Sequence, residues 1–135
     1  MSDWQIEPAT PLTAVEVGRL EDELGRKLPE DYRRFLTTSG GAFVGGLVGG
    51  SQDLPVLAFF GTGNRNSSLF DRLRAFPDFK EDGALPIARC ELGNLYILAT
   101  DNTVHYVNYY GGRTTTRKIA DSFQEFLDSI GPDSH

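Results

Sequence analysis

Gly61-Thr62-Gly63-Asn64-Arg65-Asn66 lies between a continuous apolar run, Leu54 to Phe60, and the helically spaced Leu69, Phe70, Leu73 and Phe76. A turn of that kind can set backbone amides against the pyrophosphate of a dinucleotide. The third glycine is missing, and no second βαβ pattern with an acidic residue at its strand end follows, so an ordinary strand-to-helix loop is the competing reading. A milder chemistry also stays open, an anion held by the amides before Ser67 and Ser68 with Arg65 beside it. The glycine pairs Gly40-Gly41, Gly45-Gly46 and Gly49-Gly50 are not followed by Lys-Ser or Lys-Thr, so there is no P-loop. A hydrolytic triad would have to use His105, since the other histidine, His135, is the last residue; no Gly-x-Ser-x-Gly elbow accompanies it. Cys90 is the only cysteine, which excludes an internal disulfide and a thiolate metal cluster, and there is no His-Glu-x-x-His. Carboxylates abound in Glu21-Asp22-Glu23 and Glu81-Asp82, where solvated faces are their usual role. The residue types point away from catalysis, metal and cofactor, and towards a binding domain.

Composition narrows the partner. Nineteen acidic against thirteen basic residues give a net charge of −6, which opposes contact with nucleic-acid phosphates. The same imbalance speeds encounter with a basic protein, or simply keeps the domain soluble. The longest apolar stretch, Val56 to Phe60, is far shorter than the ~20 residues of a membrane span, and with Asp3 and Glu7 ahead of any apolar run neither a signal peptide nor a membrane segment is expected. A lone cysteine suits the reducing cytoplasm. The 135 residues, with nine Phe, five Tyr and one Trp, have the length and apolar mass of one domain over residues 1–135, with neither repeat nor linker.

Positioning elements are legible along the chain. Thr13 and Glu16 form a capping box, Leu12 and Val17 a hydrophobic staple, and Val17, Leu20 and Leu24 one apolar face of a first helix. Gly25 stops it, Pro29 suits the first turn of a second, and Tyr32, Phe35 and Leu36 make that helix's buried stripe before Gly40 and Gly41. Trp4 to Glu7 reads as a short edge strand, Ala42 to Val48 as a glycine-weakened one, and Gly40 to Gly50 as a glycine-rich loop whose mobility is the favoured reading. A central helix runs from Leu69 to Phe76 and ends at Pro77. Strands follow at Leu85 to Cys90, Leu95 to Thr100, Thr103 to Tyr110 and Arg113 to Ile119, joined by turns at Gly93-Asn94, Asp101-Asn102 and Gly111-Gly112. A last helix opens at Asp121 or Ser122, buries Phe123, Phe126, Leu127 and Ile130, and stops at Gly131-Pro132. The expected class is α+β, a largely antiparallel sheet flanked by N-terminal helices, a central helix and a C-terminal helix.

Three segments carry a resemblance. Leu20 to Leu36 with the glycines that follow, Leu85-Pro86-Ile87-Ala88-Arg89 with Gly93 and Asn94, and Ile119 to Leu127 are similar to the opening, strand-and-turn and closing helix of the SUKH superfamily, the Smi/Knr-like domains. The family motif falls on Leu28, Pro29, Tyr32, Phe35, Gly40, Gly41, Pro86, Ile87, Ala88, Gly93, Phe123 and Phe126. Ser39 stands where many members have Asn, and Asn94 where Asp commonly follows glycine.

The resemblance implies an immunity protein: a non-catalytic, cytoplasmic bacterial domain that binds a cognate toxin, often a nuclease or deaminase, and needs no cofactor. A regulatory or scaffold module on an endogenous partner is the alternative, and a nucleotide or small-ligand binder using Gly61 to Ser68 a further one. Exposed acids in loops and on the closing helix are the candidate partner contacts: Asp53, Glu81, Asp82, Glu91, Asp121, Glu125 and Asp128.

Overall fold

The computed structural model describes residues 7–8, 11–40, 42–49, 54–61, 69, 81–90, 94–108 and 115–132. Helix α1 (Ala14–Leu24) begins with the reciprocal capping box: Thr13 accepts from the Glu16 amide, and the Glu16 carboxylate accepts from the Thr13 amide. Gly25 ends it at φ +86°, in the left-handed region that glycine occupies without steric cost. Helix α2 (Glu30–Ser39) follows, with Pro29 one position earlier than expected, as the extended cap residue, and Gly40 at φ +64° as its stop. Leu12 ties the entry of α1 to the end of α2 through its amide and the Leu36 carbonyl, 2.9 Å apart.

The strands are β1 (Glu7–Pro8), β2 (Ala42–Val48), β3 (Pro55–Phe59), β4 (Leu85–Arg89), β5 (Leu95–Leu98), β6 (Val104–Asn108), β7 (Thr115–Ala120) and β8 (Ile130–Pro132). They form an antiparallel sheet in the order β1-β2-β3-β4-β5-β6-β7, with β8 also on β2. β1 pairs with Ala42 and Phe43, and β8 with Gly46 to Val48, so the two lie end to end along one side of β2. The expected glycine-weakened strand is present with its expected bounds, Ala42–Val48, so over those residues the loop reading of the glycine-rich run does not hold. Its register shifts between Phe43 and Gly46, where Gly45 takes φ +58°, the signature of a bulge. Gly131-Pro132 stops α3 (Phe123–Ser129), as expected, but then continues as β8, taking Ile130 out of the helix and burying it in a strand.

β4 and β5 are buried almost throughout, which explains their unbroken apolar sequences. The helices bring aromatic rings onto the sheet: Phe123 lies 4.8 Å from Tyr32 and 5.1 Å from Phe35, Phe35 lies 5.0 Å from Phe59, and Phe126 lies 5.1 Å from Tyr96. Such offset and edge contacts add ~0.5–1.5 kcal/mol each beyond the area they bury. They fix α2 and α3 side by side. The class is α+β, with three helices among the described residues. Of the expected central helix, Leu69 is helical and fully buried; residues 70–80 lie outside the described residues.

Candidate functional site

Two charged residues in the α1–α2 hinge hold the fold together, and neither stands out in the sequence. Arg26 reaches across to the sheet, where its guanidinium donates to the carbonyls of Gly83 (2.6 Å), Leu98 (3.1 Å) and Ala99 (2.8 Å) and to Asn102 Oδ1 (3.0 Å). Burial lowers its pKa from the ordinary arginine value, against the opposing field of Asp101. Glu21, expected on a solvated face, is instead 5% exposed; it accepts from the Leu28 amide at 2.8 Å, with Lys27 and Arg33 each 3.8 Å away. A buried carboxylate so partnered closes the hinge.

His105 is half-buried on β6 and its Nε2 lies 2.8 Å from Thr103 Oγ1. The same hydroxyl donates to Asp101 Oδ1 at 2.5 Å. Its one proton is committed to the carboxylate, so Nε2 is left to donate to the threonine oxygen and cannot take that proton as a base. The row braces the β5–β6 turn and does not activate Thr103 as a triad would. The Thr103 hydroxyl and amide together pull the Asp101 pKa below the usual carboxylate value. Cys90 is buried with its Sγ 3.9 Å from the Tyr106 hydroxyl, to which Asn94 Nδ2 donates at 3.1 Å. Asn at this position thus supplies a donor that an ionised Asp could not. Among the described residues no three His, Cys, Asp or Glu side chains gather as metal ligands would, and no helix is long and apolar enough to cross a membrane.

Of the acidic candidates, Asp121, Glu125 and Asp128 are exposed on α3 or at its start. Each also has a local role. Asp121 pairs with Lys118 at 2.5 Å, Glu125 accepts from the Asp121 amide at 3.2 Å, and Asp128 accepts from the Gln124 side chain at 2.9 Å. Glu81 and Asp82 are exposed beside Gly83, at the Arg26 contact, and so belong to a different support from the α3 group. Asp53, Glu91, Gly41 and Gly93 lie outside the described residues, as does the Gly61 to Ser68 turn after Gly61.

Asp31, in the first turn of α2 and not among the acidic candidates, links two helices. Its Oδ2 accepts from the Gln124 amide at 2.9 Å, so a carboxylate on α2 caps the start of α3. Between the two helices lies an open groove of about 280 Å³, lined by Asp31, Arg34, Phe35, Thr38, Gln124 and Leu127 among others. Phe35 and Leu127, both 8% exposed, are its apolar floor.

A family model described as the SMI1 / KNR4 family (SUKH-1) matches residues 11–129. The chain belongs to the SMI1/KNR4 family. Comparison with curated proteins finds no match. Among the described motif positions of this SMI1/KNR4 domain, Leu28, Tyr32, Phe35, Pro86, Ile87, Ala88, Phe123 and Phe126 are buried, Pro29 occupies the cap position of α2, and Gly40 stops that helix. Tyr32 is wholly buried, which drives its pKa far above the ordinary tyrosine value, and its hydroxyl has no hydrogen-bond partner among the described residues.

Proposed function

We propose that the chain is a non-catalytic immunity protein that neutralises a cognate bacterial toxin domain, one that attacks nucleic acid, by binding it one to one in the cytoplasm. The observation that carries this reading is the α2–α3 groove, an apolar floor of Phe35 and Leu127 rimmed by Asp31, Arg34, Thr38 and Gln124, on a domain of net charge −6. A buried apolar centre with a polar rim is how protein interfaces concentrate their affinity. The exposed acids Asp121, just before α3, and Glu125 and Asp128 on it favour encounter with a basic surface, and a toxin that binds nucleic acid carries one. Membership in the SMI1/KNR4 family supplies the biological direction. Neutralisation then consists of covering the toxin's active site, with no bond made or broken.

Co-expression with the toxin encoded beside this gene tests the proposal. Cells carrying the parent protein survive, and cells carrying Thr38→Trp, which fills the groove from its exposed rim, do not. Equal killing with and without the parent protein refutes the immunity role; full protection by Thr38→Trp refutes the groove as the contact.

A further inference from the structure

The two edges of the sheet are built differently. Along β2 the outer edge is made of β1 and β8, two and three residues long, and strands that short offer little for another chain to pair with. The opposite edge is β7, six residues long, whose one strand partner among the described residues is β6. Thr115, Thr116, Arg117 and Lys118 are all exposed, so neither face of this strand is covered there. Alternate backbone N–H and C=O groups of such an edge point outward, where they can receive an added strand.

The geometry points to β7 as a docking edge for an extended acidic segment of another protein, one carrying two consecutive acidic residues. Arg117 and Lys118 are adjacent, so they project to opposite faces of the strand, and a partner strand needs one acid on each face to meet both. Arg117 makes no ion pair among the described residues, and Lys118 pairs with the exposed Asp121, a solvent-screened contact that a partner's acid would replace. Thr115 and Thr116 favour β-branched residues opposite. A second copy is the poorer occupant. In the two-fold antiparallel register centred between Thr116 and Arg117, Lys118 faces Thr115 and every cation stays unmatched. This edge is independent of the α2–α3 groove.

The test titrates the full-length protein with an end-capped Thr-Val-Glu-Glu-Val-Thr peptide, followed by amide NMR and hydrogen exchange. The expected result is new protection at alternate amides of residues 115–120 and binding about tenfold tighter than that of Thr-Val-Lys-Lys-Val-Thr. In the Arg117→Glu/Lys118→Glu variant, with unchanged circular dichroism, the preference between the peptides reverses. No binding of the acidic peptide, equal binding of both, or protection of β7 that tracks protein concentration without peptide each overturn the proposal.

Discussion

 Replacing Arg26 by alanine removes four guanidinium contacts of 3.1 Å or shorter. The acceptors are the main-chain oxygens of Gly83, Leu98 and Ala99 and the side-chain oxygen of Asn102. A hydrogen bond to a charged donor contributes ~1.5–3 kcal/mol, and at this half-buried site water recovers part of each, so the expected loss is ~3 kcal/mol in total. In a domain of this size that corresponds to a fall in Tm of about 10 °C. Lysine keeps the charge but not the planar fork, and Arg26→Lys recovers about half of the loss. Urea denaturation measures both variants. Hydrogen exchange adds a local readout: the Ala99 and Asn102 amides, which donate to the Thr103 and Ala99 carbonyls, lose protection before the rest of the sheet does. A loss under ~0.5 kcal/mol with unchanged protection of that turn refutes the assignment of Arg26 as the clasp between hinge and sheet.

Four further outcomes follow from individual groups. Tyr32→Phe removes a buried hydroxyl that has no partner and leaves stability unchanged or higher by up to ~1 kcal/mol; a loss above that in urea denaturation contradicts the packing described. Gly83→Ala is destabilising by ~2 kcal/mol or more, because residue 83 sits at φ +73° and its new Cβ would lie 2.7 Å from Thr100 Cγ2. The Asp101 carboxyl titrates below the ordinary carboxylate range by NMR, and Thr103→Val raises its pKa towards the ordinary value. Since the folded pKa is the lower one, this group's contribution is present above its unfolded value near ~3.9 and is lost as the pH falls through the folded value. Glu21→Ala leaves the Leu28 amide and two nearby cations without their buried acceptor, for a loss of ~2 kcal/mol in the same assay.

Local chemistry made much of this fold legible. The Thr13–Glu16 box, the glycine stops at Gly25 and Gly40, the Ser122 cap and the apolar strands β3 to β6 are each determined by neighbours in sequence, and all are in place. Strand ends came out a residue or more shorter, as at Leu95–Leu98, where the turn closed by the Ala99 amide and the Thr103 carbonyl begins before the strand-like residues end. What sequence could not supply are contacts made by distant segments. Arg26 meets acceptors more than fifty residues away, and Asp31 caps a helix that starts beyond residue 120. Ile130 has helical spacing from Phe123, Phe126 and Leu127, yet β2 takes it into a strand because Gly131 and Pro132 have already ended the helix. The glycine pairs around residue 45 left a weakened strand over Ala42 to Val48 and a loop both open; three neighbouring strands decide for the strand and leave only a bulge. The groove is of the same kind, since Phe35 and Leu127 come from helices far apart in the chain.

The most direct test of the central claim is a titration of the purified cognate toxin domain with this protein, following the toxin's enzymatic activity. Binding without catalysis predicts a linear fall in activity that reaches zero at one equivalent, and recovery of active toxin when the complex is unfolded and the toxin refolded. Complete inactivation at a small fraction of an equivalent, or a toxin left covalently altered after separation, would contradict it.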